Sequence, residues 1–223
     1  MTVWRRFSKL AAVTSLFAGL VLSFNPALSQ TSETGKTDSG KDIMELLMKP
    51  SPLGDIELGN KDAKVTVVEF SSITCNHCAY FAQDVFPKIK ANYIDTGKIR
   101  YIMRDLAFDG TAVAGYALAR CMGNDKFISI RDHFFNNFDR FREKSVAEVL
   151  RDLSFEAGIP KEKFMSCVGD KRVLEGIKAV REQAIELGIS GTPTFFINGE
   201  QIVGGQPYEE MSRLLDAALK KNN

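Results

Sequence analysis

The sequence predicts an α/β fold whose sheet is interrupted by an all-helical insert, and three observations point to it. A β-branched apolar run, Val65-Thr66-Val67-Val68-Glu69-Phe70, leads into Cys75-Asn76-His77-Cys78 at the start of a helical pattern. A long stretch without strand signals follows, over about residues 111–188. A second apolar run, Thr194-Phe195-Phe196-Ile197, then resumes the sheet after Gly191-Thr192-Pro193.

The chain opens with Arg5, Arg6 and Lys9 ahead of an apolar run over residues 10–24, then Asn25-Pro26-Ala27-Leu28-Ser29-Gln30. Basic flank, short apolar segment and small residues at Ala27 and Ser29 are the marks of a secretory signal peptide over residues 1–29, cut before Gln30. The alternative is a retained anchor, but a bilayer core needs about 20 apolar residues. Residues 30–41 are polar and small and are expected to form a linker. Ile43, Met44, Leu46, Leu47 and Met48 give a short helix that stops at Pro50-Ser51-Pro52. Eight residues make a marginal helix alone, so it is expected to pack on the domain or on a second copy.

Residues 64–71 read as a buried strand, nearly continuous in apolar residues. Beyond Cys78, the positions Tyr80, Phe81, Val85, Ile89 and Tyr93 keep helical spacing, with Pro87 expected to kink the helix. Residues 98–103 return as a strand, completing a strand–helix–strand unit that favours parallel pairing. In the insert, Val173, Ile177, Val180, Ala184 and Leu187 typify the periodicity. Gly123, Gly158-Ile159-Pro160 and Gly169-Asp170 divide the insert into four or five helices. Asn198-Gly199 predicts a hairpin turn between 194–197 and 201–203. Met211, Leu214, Leu215, Ala218 and Leu219 mark a closing amphipathic helix.

Composition narrows the partners. Of 223 residues 44% are hydrophobic, enough for an ordinary core. Removing residues 1–29 takes three of the 29 basic groups and none of the 28 acids, so the exported chain is slightly acidic and nucleic acid is not an expected partner. Export also changes how the four cysteines are read, because an oxidising compartment permits stable disulfides.

A redox-active sulfur must be thiolate, accessible and a good leaving group. Cys75 at a helix N-terminus meets the first need, since free backbone N–H groups favour a negative charge there. His77 can add a positive charge or a donor. Cys78 lies one turn further in and is expected to be more buried, making Cys75 the attacking and Cys78 the resolving sulfur. A stabilised thiolate destabilises the disulfide, so the sign of the effect favours oxidation of other thiols. The soft-ligand set Cys75, His77 and Cys78 also leaves open a copper- or zinc-handling protein.

Strand, Cys-x-x-Cys and late Thr192-Pro193 together resemble the thioredoxin superfamily, and the helical insert resembles its DsbA-like thiol:disulfide interchange proteins. The resemblance spans roughly residues 54–220. It implies a thioredoxin-like fold divided as 54–110 and 189–223 around an insert at 111–188, preceded by linker and short helix at 30–53. It implies donation of a Cys75–Cys78 disulfide to unfolded exported proteins with free cysteines in the periplasm, reoxidation by a membrane quinone-linked protein, and no cofactor or metal. It further implies a cis Pro193, with the Thr192 backbone pairing with substrate, and a proton-exchanging role for Glu69 beside the buried cysteine. Some such proteins carry a structural disulfide in the insert, here Cys121–Cys167; two free buried thiols are the alternative. A periplasmic reductase or isomerase of the same superfamily remains the rival activity. Asn76-His77 within the motif and Thr192 before the proline depart from the best-known members, where the pair is Pro-His and the residue is Val. Both positions tune redox potential and substrate choice. His133, the other histidine, is expected on a helix surface or in the core without a role. Phe134, Phe135, Phe138 and Phe141 are expected in the core or against the active-site face.

Overall fold

The computed structural model describes residues 39–222, so the expected signal segment and most of the linker lie outside the described residues. Five strands form one sheet: β1 (Ile56–Gly59), β2 (Val65–Ser71), β3 (Ile99–Asp105), β4 (Thr194–Ile197) and β5 (Glu200–Val203), in the order β1-β3-β2-β4-β5. β2 and β3 pair in parallel and every other neighbour is antiparallel. The fold is thioredoxin-like, with the helical insert leaving the sheet after β3 and returning at β4. β1 went unread in the sequence because it is four residues long and offers only Ile56 and Leu58 as alternating apolar positions.

Strand alternation gives the two sheet faces different partners. Val65, Val67, Glu69 and Ser71 point to one face with Tyr101 and Met103, where the main apolar cluster gathers. Val68, Phe70, Ile102 and Phe196 point to the other. There, α1 (Ser39–Met48) contributes Leu47, and the long helix of the insert contributes Val180 and Ala184. α1 starts inside the expected linker. It is docked by the buried Arg104, which donates to the Leu47 and Lys49 carbonyls and to Asp55.

Between β2 and β3 the chain runs through α2 (Asn76–Tyr80) and α3 (Phe86–Ile89), each followed by a widened π turn, at Phe81–Val85 and Lys90–Ile94. Pro87 sits in the first turn of α3, where its missing N–H costs no helical bond. The widened turn ahead of it makes room for the proline ring, so the expected kink takes the form of a π segment.

The insert comprises α4 (Gly110–Cys121), α5 (Asn124–Asn136), α6 (Val146–Glu156), α7 (Phe164–Val168) and α8 (Lys171–Glu186). Side-chain caps fix its starts: Asp109 for α4, a Ser145/Glu148 capping box for α6 and Asp170 for α8. The insert is tied to β3 by the buried pair Arg120–Asp105, bidentate with both contacts at 2.6 Å. Cys121 and Cys167 are bonded to each other, joining the end of α4 to α7. The last helix, α9 (Tyr208–Lys221), buries Met211 and Leu215 in the main cluster.

The hairpin turn does more than reverse the chain. Asn198 and Gly199 both have positive φ, at 47° and 87°, as a type I′ turn requires. The Asn198 carboxamide then accepts the Thr66 N–H at 2.7 Å and donates to the Lys64 carbonyl at 3.0 Å, fixing β4 against the start of β2.

Candidate active site

Cys75 occupies the N-cap of α2 in an extended conformation, and its sulfur accepts the Cys78 N–H at 3.3 Å. The loop before it is fixed by hydroxyls: Ser72 and Thr74 share a bond at 3.1 Å, and Thr74 donates to Asp109 at 2.8 Å. Asp109 is also the cap of α4, so one carboxylate joins the Cys75 turn to the insert. Across the site, Thr192–Pro193 is a cis peptide. The Cys75 thiol donates to the Thr192 carbonyl at 3.2 Å. Gly205 closes the rim, where an added Cβ would lie 3.3 Å from the His77 carbonyl and 3.7 Å from the Pro193 ring.

The two sulfurs sit in opposite electrostatic environments. Hydrogen bonding to the Cys78 side chain holds the Cys75 thiol down to about 5; the Thr192 side chain and the backbone N–H groups of Cys78 and His77 add to this, and partial burial opposes it. Cys78 is fully buried, packed with Ala79 and Phe135. Burial raises its thiol far above the ordinary value, and its neighbour Cys75 pushes the same way. His77 thus acts on Cys75 through its backbone, while its imidazole is exposed.

Beneath Cys78 lies a buried polar cluster assembled from β2, β3 and α5. Glu69 is 1% exposed and accepts the Tyr101 hydroxyl at 2.9 Å. The Arg131 guanidinium lies 3.7 Å away, itself buried against the Phe86 and Phe135 rings. Burial raises the Glu69 carboxyl above the usual carboxylate value, against the pull of Arg131 and Tyr101. Ser71, two residues along on the same face, holds the Tyr116 hydroxyl through its carbonyl at 2.6 Å.

Cys75, Cys78, Thr192 and Pro193 are therefore brought together, with Glu69 on the buried side. The Cys121–Cys167 bond belongs to the insert. His133 meets Glu156 at the surface at 3.3 Å. Phe134 and Phe135 are buried, and Phe138 packs against the cluster formed by Cys78, Ala79 and Phe135. Sequence reasoning missed Arg131, although the signal was present. It follows Phe127 by four positions and precedes Phe135 by four, so it lies on the buried stripe of α5.

A family model described as Thioredoxin matches residues 52–217. A putative protein-disulfide oxidoreductase of Rickettsia felis is 34% identical over 170 residues, 75% of this chain and 61% of that protein. The chain thus matches about three fifths of that relative's length. The disulfide bond formation protein D of Bacillus subtilis is 27% identical over 83% of this chain and 85% of its own. Among solved structures, Wolbachia pipientis alpha-DsbA1 superposes with a TM-score of 0.72 at 28% identity, covering 82% of this chain and 97% of that one.

Proposed function

Because the chain belongs to the thioredoxin family, in its DsbA-like branch, we propose that it is a thiol:disulfide oxidoreductase that donates a Cys75–Cys78 disulfide to exported, incompletely folded proteins. The observation that carries this reading is the asymmetry of the pair: Cys75 held near 5, accessible at a helix start, and Cys78 buried and protonated. A substrate thiolate attacks Cys75, Cys78 leaves and is protonated, and a second substrate thiol displaces Cys75 from the mixed disulfide. Cys75 is a good leaving group because its thiolate is stabilised. Thr192, beside the cis proline, places its backbone next to Cys75 for pairing with an extended substrate.

The relatives' names support the reaction class. Periplasmic location, through the signal segment at residues 1–29, and a quinone-linked membrane reoxidant complete the proposal. The copper or zinc alternative finds no three converging ligands among the described residues.

The test is transfer itself. Oxidised protein is mixed with a reduced, unfolded two-cysteine protein, and disulfides are counted in both. Stoichiometric gain by the substrate is expected, with Cys75→Ser and Cys78→Ser, neither of which can hold the disulfide, both inert. No transfer would overturn the assignment.

A further inference from the structure

Ser71 carries a buried hydroxyl without a hydrogen-bond partner. Buried polar groups in folded proteins are overwhelmingly paired, so an orphan needs a reason. Ser71 is 3% exposed, at the end of β2. It shares a sheet face with Glu69, two residues earlier. Its chain neighbour Ser72 donates its N–H to the Cys78 sulfur at 3.5 Å, which puts that sulfur over the end of the same strand.

Asp105, the residue opposite Ser71 on β3, is buried on this face too, but both its carboxylate oxygens are taken by Arg120 at 2.6 Å, which leaves Glu69 as the acid of this face for the resolving thiol to exchange with. We propose that the Ser71 hydroxyl carries the proton that passes between the Glu69 carboxyl and the Cys78 sulfur. The Ser71 side chain acts on both groups, favouring the charged form of Glu69 and of Cys78 alike. A hydroxyl is suited to this, since it donates and accepts at once and can rotate between partners. Tyr101 and Arg131 face Glu69 and Asp132 lies just beyond, while Tyr116 closes the space by bonding the Ser71 carbonyl. Tyr101 and Arg131 hold the carboxyl in place.

The proposal rests on the redox reading of Cys75 and Cys78. When a substrate thiolate opens the disulfide, Cys78 leaves as a thiolate. Ser71 gives it the hydroxyl proton and takes one from the Glu69 carboxylic acid, so the hydroxyl is restored and Glu69 ends as carboxylate. In the reverse direction, Cys78 attacks the sulfur of a Cys75 mixed disulfide and the other thiol leaves as thiolate. As the sulfur attacks, the Cys78 proton moves to Ser71 and the Ser71 proton moves to the Glu69 carboxylate, so that the attacking group is the thiolate. Two electrons pass between the sulfur pairs and none through Ser71.

Reduced protein treated with oxidised glutathione separates the steps. Cys75 first forms a glutathione adduct, and Cys78 then expels glutathione; both are followed by rapid acid quench and mass spectrometry. In Ser71→Ala the adduct should form at the wild-type rate and decay about a hundredfold more slowly, the low end of general acid–base contributions. Glu69→Gln should slow decay similarly, and the double variant should be no slower than the slower single one. Ser71→Thr, which keeps the hydroxyl, should retain most of the decay rate. In the unmodified protein, decay should slow in D2O as protons move with the sulfur. Unchanged decay in Ser71→Ala, slowdowns that multiply in the double variant, or equal rates in D2O would each overturn the relay. A wild-type protein that forms no adduct would instead overturn the redox reading.

Discussion

The Cys75 sulfur lies 3.2 Å from the carbonyl oxygen of Thr192, 117 positions away in sequence. The contact brings the Cys75 sulfur and the backbone ahead of the cis proline to one point, where the proposed function has substrate pair. The Thr192 side chain also helps stabilise the thiolate. Thr192→Val keeps size and branching and removes the hydroxyl. Its Cys75 pKa should rise from about 5 toward the ordinary thiol range. Thiolate absorbance against pH measures the midpoint, and an unmoved midpoint would remove Thr192 from the stabilising set.

The lowered Cys75 pKa also makes stability depend on pH. The unfolded thiol titrates near 9 and the folded one near 5, so the unfolded state binds the extra proton between these values. The stabilisation is complete above pH 9 and is lost as pH falls toward 5. Reduced wild-type protein should therefore gain stability over Cys75→Ala steadily from pH 5 to pH 9 in urea titrations. A constant difference would mean that the thiolate is not stabilised by the fold.

Arg131 is buried opposite Glu69, with aromatic rings on two sides. Removing one member of a buried pair leaves an uncompensated group, at a cost of about 3–5 kcal/mol. Arg131→Leu should lose that much in urea unfolding. It should also raise the Glu69 pKa further, since the arginine is the largest influence pulling it down. Carbon-13 detection of the labelled carboxyl follows that change.

The Cys121–Cys167 bond spans 46 positions. Chain entropy gives a cross-link of that length about 4 kcal/mol. The double alanine variant should unfold at correspondingly lower denaturant, and an unchanged midpoint would mean that the bond contributes nothing.

Local signals made much of this legible beforehand. The strand ahead of Cys75, the Asn198-Gly199 turn and the helical periodicity of the insert depend on neighbouring residues, and sequence displays neighbours. The edge strand β1 was too short to show a period. The polar cluster was harder because it is assembled from β2, β3 and α5. Glu69 stood out as an acid in an apolar run, whereas Arg131 needed its place on the buried stripe of α5 to be recognised. Ser71 carried no signal at all, because a serine at a strand end is ordinary until its hydroxyl is found without a partner.

The equilibrium of the Cys75–Cys78 pair against a glutathione buffer tests the central claim most directly. A stabilised Cys75 thiolate predicts a potential well above the roughly −270 mV of thioredoxin, making the protein a donor of disulfides. A value at or below thioredoxin's would contradict it and assign the protein to the reducing side of the family.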